Sequence, residues 1–134
     1  PADIAIFTAA VADWRVDHVA AEKLKKREDG TPPALQFAEN PDILKTIASL
    51  KKGRPKLVVG FAAETETVVE HAKAKLAKKG CDLIVANDVS AGNNVFGGDA
   101  NTVHLVTASG VESWPKISKA EVASRLMAKL AGMA

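Results

Sequence analysis

The stretch from Leu57 to Thr65 most constrains what this chain can fold into. The run from Lys56 to Val59 is rich in β-branched residues and does not alternate, the pattern of a strand covered on both faces in a parallel sheet. Gly60 is expected to end that strand. Thr67 with Glu70 three residues later reads as a capping box, and Val68, Val69, Ala72 and Leu76 follow at helical spacing. A strand would thus feed a helix through a turn over 60–66, at the carboxyl end of a sheet, where open α/β sheets bind ligands. Close packing alone would also explain the small residues Gly60, Ala62 and Ala63, and one turn does not separate the two readings.

The flanking segments repeat this grammar. Pro1 to Thr8 is strand-like, Ala34 to Ala38 reads as a short strand, and Asp82 to Asn87 as the next buried one. Asn40, Pro41 and Asp42 form a helix start: a capping side chain, a proline at the first helical position and an acid in the first turn. That helix is expected to run to about Lys51, where Gly53 and Pro55 stop it. Two strand-helix-strand steps imply a parallel α/β core. Asp88 to Ala100, with Gly92, Asn93, Asn94, Gly97 and Gly98, is a long loop. Thr102 to Thr107 and Val111 to Trp114, joined through Ala108, Ser109 and Gly110, then read as an appended antiparallel hairpin. Ser118 and Glu121 cap a last helix that turns Val122, Leu126 and Leu130 to the core. No internal repeat is present.

A chain of 134 residues, 47% of them hydrophobic, suits one compact domain. The single Cys81 excludes an internal disulfide framework and favours a reducing, cytoplasmic setting. No apolar run is long enough to span a bilayer, so no membrane association is expected. The net charge of +2 gives no general affinity for nucleic acid, and no aromatic interleaves the basic run at Lys23 to Arg27. Arguments from basic residues must therefore be local. The lysines at 23–26 lie before the turn signal Gly30, Thr31, Pro32 and Pro33, and suit either a phosphate clamp or a solubilising surface loop. Lys75 and Lys79 stand one helical turn apart and can converge on a polyanion, although for an arbitrary helix a solvated face is the commoner reading. Asp13 follows a strand-like run as a metal ligand, a ribose partner or a plain turn former. His18, His71 and His104 lack metal-ligand spacing, and Trp14 and Trp114 read as packing residues.

Taken together, Ala9 to Arg15, Lys23 to Lys26, Asn40 to Leu44, Gly60 to Thr65 and Ala86 to Val89 form a more specific pattern than any one of them. In order and spacing they resemble the bacterial phosphopantothenoylcysteine synthetase family, the ligase of coenzyme A biosynthesis. The likeness spans the chain, including Phe96, Asn101 and the helix start at Ser118 and Lys119. It implies a Rossmann-like three-layer α/β fold with a mainly parallel sheet. It further implies a ligase that joins 4'-phosphopantothenate to cysteine through an acyl-cytidylate made from CTP, with Mg2+ and release of pyrophosphate. The family is homodimeric and often fused behind a decarboxylase, which alone would carry FMN; here the hairpin and the loop at Asn87 are the expected dimer contact. The nucleotide-binding residues it implies are Asp13, Lys23, Pro41, Asp42, Ile43, Leu44, Phe61, Lys75 and Lys79, with Lys23 also catalytic. The family's opening strand, its Ser-Ser-Gly turn and the Arg and Asn before that turn have no counterpart here. Residues 1–134 are thus expected to be the C-terminal part of one such domain, lacking the first strand-helix unit and inactive alone. The other reading is a nucleotide-binding or scaffold module without catalysis.

Overall fold

The computed structural model describes residues 2–9, 11–18, 24–26, 28–90 and 98–134. In chain order its elements are β1 (Ile4–Phe7), β2 (Trp14–Val16), β3 (Phe37–Glu39), α1 (Ile43–Ala48), β4 (Leu57–Glu64), α2 (Val68–Lys79), β5 (Leu83–Asp88), β6 (Ala100–Thr107), β7 (Gly110–Ser118) and α3 (Lys119–Met133). They divide into two compact units, Pro1–Ala9 with Ile43–Ala134, and Ala10–Asp42.

The larger unit is a five-stranded sheet in the order β1-β4-β5-β6-β7. β1, β4 and β5 run parallel, and β6 and β7 add the antiparallel hairpin. Leu57 and Val59 of β4 join Leu83, Val85, Val103, Leu105 and Trp114 in a core sealed by Val122, Leu126 and Leu130 of α3. Val58 and Ala62 face the other way and pack with Ile84, Ala86 and Val106 under Ala48 of α1 and Ala72 of α2. The architecture is therefore the expected three-layer α/β fold, with a non-alternating central strand because both faces are covered.

Four local expectations differ from what is found. β4 does not stop at Gly60 but continues to Glu64, with Val59 to Glu64 in parallel register with Leu83 to Asp88. Gly60 serves close packing: a Cβ there would meet Leu44 Cδ2 at 2.5 Å and Ile84 Cδ1 at 3.0 Å. The capping box at Thr67 does not form, because Thr67 adopts left-handed backbone angles (φ 43°, ψ 44°) and its hydroxyl lies 3.2 Å from His71 Nε2. Asn40 likewise does not cap α1, which starts only at Ile43; its amide donates to the Ala12 carbonyl (2.8 Å). The short strand expected at 34–38 appears as Phe37–Glu39, paired antiparallel with β2 in the smaller unit. At the end of the chain the expectation holds. Ser118 accepts from the Glu121 N–H, and Val122, Leu126 and Leu130 are buried.

The hairpin reaches further than its apolar pattern shows, from Ala100 to Ser118. Its register shifts between Asn101 and Val103, opposite Pro115 and Lys116, where proline has no N–H to give the ladder. Trp114 is buried as expected, whereas Trp14 is 56% exposed. No helix among the described residues is long and apolar enough to cross a membrane.

Two polar ties hold the layers. Asp82 accepts from the Val58 N–H (2.7 Å) and from Arg54 Nη2 (2.9 Å), while Arg54 Nε donates to the Ala48 carbonyl (2.8 Å). The end of α1 and the starts of β4 and β5 are thereby fixed together. Asp82→Ala strands a partly buried guanidinium and a backbone donor, and should lower unfolding free energy by about 1–3 kcal/mol in urea titrations. On the other face, Glu112 accepts from Trp114 Nε1 and Lys129 Nζ, which fastens β7 to α3. The Lys129 hydrogen bond, then that of Trp114, hold its carboxyl below the ordinary value of 4.5. A depressed folded-state value means that this contribution is present above the ordinary value and fades as pH falls below it. Glu112→Gln should therefore reduce thermal stability at neutral pH and flatten its decline on the acid side, as followed by melting curves from pH 7 downward.

Candidate functional site

The α3-facing side of the sheet changes character toward its carboxyl edge. Lower down, β4, β5 and β6 present Leu57, Val59, Leu83, Val85, Val103 and Leu105 to α3. Continuing the same alternation upward, they present Phe61 and Ala63, then Asn87, then Asn101. Side chains that are small or polar do not fill the space under α3. The result is a cavity of about 490 Å³ whose opposite wall includes Val122, Leu126 and Met127. Its size suits a small molecule, since such sites span roughly 300–1,000 Å³.

Asn101 is the buried polar residue of this region, 7% exposed. Its Nδ2 donates to Asn87 Oδ1 (2.9 Å), and its Oδ1 has no hydrogen-bond partner. The sequence signal for it was an asparagine at an inward position of the alternation that runs through Val103 and Leu105. Composition hides that signal, because asparagine is ordinarily a turn former.

On the other face, the end of β4 carries a charged cluster. Glu64, with its side chain 18% exposed, lies 3.4 Å from Lys75 Nζ and 3.3 Å from His71 Nδ1. Lys75 thus faces the carboxyl edge through Glu64. Lys79 sits in the last turn of α2, about 6 Å further along the axis at the ordinary helical rise. Of the residues singled out in sequence, the sheet places Phe61 in the cavity on the α3 side and Lys75 and Lys79 on the α2 side. Leu44 packs into the core on that α2 side, next to Gly60, so its backbone is what it can offer a ligand. Ile43, at the start of α1, is 50% exposed.

Within the smaller unit, the Asp13 carbonyl accepts from the Asn40 N–H (2.8 Å), and Arg15 donates to the Glu39 carbonyl. These bonds fix the backbone beside Asp13 and lead into Pro41 and Asp42. Lys23 lies outside the described residues. Among the described residues no group of three His, Cys, Asp or Glu side chains is placed to hold a metal ion. Cys81 is buried, and its thiol is pushed up by desolvation, which keeps it protonated and unreactive.

Residues 1–133 match the family model described as DNA/pantothenate metabolism flavoprotein C-terminal domain. The chain belongs to that family. It is 42% identical over 124 residues to the coenzyme A biosynthesis bifunctional protein CoaBC of Vibrio cholerae, covering 92% of this chain and 31% of that protein. The Escherichia coli K12 protein of the same name is 43% identical over 126 residues, with 93% and 30% covered. That of Bacillus subtilis is 40% identical over 132 residues, with 98% and 32% covered. The chain therefore spans just under a third of the length of these relatives. The solved C-terminal domain of a CoaBC protein superposes with a TM-score of 0.70 at 33% identity, over 98% of this chain and 54% of that one. The fold and the coenzyme A biosynthesis family thus agree with the likeness read from the motifs.

Proposed function

We propose that the chain is the C-terminal part of a CTP-dependent phosphopantothenate–cysteine ligase domain. The observation that carries this reading is the family match over residues 1–133, joined to a cavity at the sheet's carboxyl edge that contains Phe61. In the proposed reaction the carboxylate of 4'-phosphopantothenate attacks the α-phosphorus of CTP, pyrophosphate leaves, and an acyl-cytidylate forms. The cysteine amine then attacks the acyl carbon and CMP departs. A carboxylate accepts an amine only after its oxygen joins a good leaving group, and the site must offset triphosphate charge as the bond breaks.

Each residue has a role in this proposal. Lys75 and Lys79 attract the polyphosphate, and Asp13, the segment from Pro41 to Leu44, and Phe61 seat the nucleoside. Lys23 stabilises charge on the reacting phosphates. Mg2+ would accompany the triphosphate, consistent with its habit of binding through one or two carboxylates plus substrate phosphates. Asp13 and Asp42 are the acids nearest that role in the proposed set. The longer relatives are bifunctional, and we assign FMN to their decarboxylase part and none to this chain. A homodimer joined through the β6–β7 hairpin and the Asn87 region, in the cytoplasm, completes the proposal.

The chain spans 54% of the solved domain it matches, so the whole reaction is proposed for the domain and nucleotide binding for the chain. By itself the chain should bind CTP weakly and release no pyrophosphate, because a ligand held on one side loses preorganised contacts. The test is a chimera in which this chain replaces the matched segment of the Escherichia coli relative. It should form phosphopantothenoylcysteine from CTP, 4'-phosphopantothenate and cysteine, and no product would overturn the ligase reading. In that chimera Lys23→Gln should lower kcat by roughly 10²-fold or more with little change in CTP affinity. Near-normal turnover would remove Lys23 from the mechanism. Replacing Lys75 and Lys79 together with Ala should raise the Kd for CTP and flatten its salt dependence, with only a modest drop in melting temperature from the lost Lys75–Glu64 pair. A large drop in melting temperature with unaltered affinity would make the pair structural.

A further inference from the structure

We propose that His71 is a positioning residue of the α2-side cluster: it takes over the Glu64 carboxylate when Lys75 turns to a polyphosphate, so that binding the polyanion is coupled to uptake of a proton. Glu64 ends β4 with its side chain 18% exposed, and it meets two basic groups at once. Its Oε1 lies 3.4 Å from Lys75 Nζ, and its Oε2 lies 3.3 Å from His71 Nδ1. The imidazole is held from its other side as well, since Nε2 lies 3.2 Å from Thr67 Oγ1. Thr67 keeps left-handed backbone angles there and gives no side-chain cap to α2. With Nδ1–H donated to Glu64, a neutral ring accepts at Nε2 from the hydroxyl; a charged ring donates at both nitrogens, and the hydroxyl then accepts. The ring, 56% exposed, therefore exchanges a proton with solvent without leaving its place.

The coupling follows from charge. While Lys75 contacts Glu64, the carboxylate is already compensated, and a second positive charge on His71 gains little. Once Lys75 is drawn to a polyanion, Glu64 is left beside a neutral ring in a site largely withdrawn from solvent, where uncompensated charge is costly. Imidazole is the side chain whose charge changes between about pH 5 and 8, so it can supply the compensation near neutrality. Other ionisable groups on this side of the sheet are Asp88 of β5, in register with Glu64, and His104 of β6, whose Nδ1 lies 2.8 Å from Ser113 Oγ. The turn before α2 adds Glu66, α2 itself Glu70, and α1 Lys45. None of these changes partner in the exchange, so they set a background and not the coupling. The inference rests on the polyphosphate role proposed above for Lys75.

The experiment follows the His71 ring signals of the isotope-labelled chain by NMR from about pH 8 to about pH 5, alone and with inorganic triphosphate or orthophosphate. Triphosphate should raise the pH at which the ring titrates, and orthophosphate at equal concentration should raise it far less. Lys75→Met should raise that pH in the ligand-free chain, since the competing cation is gone, and triphosphate should then add little. Glu64→Gln should abolish the response to triphosphate, whereas a ring that senses the ligand's charge directly would still respond. In binding titrations, the affinity of the unaltered chain for triphosphate, relative to that of His71→Gln, should rise severalfold from about pH 8 to about pH 6. A ring that titrates at the same pH in Lys75→Met as in the unaltered chain, or a triphosphate response that survives Glu64→Gln, would overturn the proposal. Triphosphate or CTP binding that depends on Lys75 while the His71 titration stays unmoved would overturn it and leave the nucleotide reading intact. The full response to triphosphate, beside a chimera without ligase activity, would support the coupling and overturn the ligase reading alone.

Discussion

The larger unit depends on one strand being covered from both sides at once. β4 sends Leu57 and Val59 to α3 and Val58 and Ala62 to α1 and α2, so each successive residue must fit a different layer. Interiors packed at crystal-like density leave little room for adjustment. At Gly60 the fit is tightest, since a methyl group there would overlap Leu44. The residue that looks like a strand terminator is thus the one that lets α1 approach the sheet. Because the strand survives it, Phe61, Ala63 and Glu64 stay in register with β5, and the sheet's carboxyl edge is built several residues further on.

That extension explains why the two faces of the edge differ. Alternation along β4 and β5 assigns Phe61, Ala63 and Asn87 to the α3 side, while Glu64 falls on the α2 side beside His71 and Lys75. One face ends in a cavity that is apolar with a pair of amides, and the other ends in a charged cluster. A one-residue slip in register would exchange these characters and bury Glu64 against α3. The Arg54–Asp82 tie and the Asp82 bond to the Val58 N–H pin that register at the opposite end of the same two strands.

How much of this was legible in the sequence follows from what each signal encodes. Burial on two faces was readable from Leu57 to Val59, and the last helix from Ser118, Glu121 and its apolar stripe, because those are periodic and local. The reach of β4 past Gly60 was not, since a glycine that ends a strand and one that admits a neighbouring Leu44 look identical until the neighbour is placed. Thr67 and Asn40 failed as caps for a related reason: each side-chain oxygen had a competing partner, His71 in one case and the Arg15 guanidinium in the other. Within the candidate site, Phe61 was singled out through motif likeness, and Lys75 and Lys79 through their one-turn spacing as well as that likeness. Asn101 as an unpaired acceptor was not, because pairing is a property of the fold and not of the residue.

The charged cluster sets a condition on any role for Lys75. Its ammonium lies beside a carboxylate that is largely withdrawn from solvent, and the other oxygen of that carboxylate faces His71. Drawing Lys75 toward a polyphosphate means exchanging a contact with one negative charge for contacts with several, while His71 remains to face Glu64. The exchange is favourable only if the polyanion comes close enough for its extra charges to outweigh the lost pair, since such interactions weaken beyond about a Debye length, roughly 8 Å at physiological salt. Lys79 lies one turn further from the edge, where the same distance dependence makes its contribution the smaller of the two. In the proposed site Glu64 would therefore select on charge: a monoanion would gain little by competing with it for Lys75, and a triphosphate would gain much.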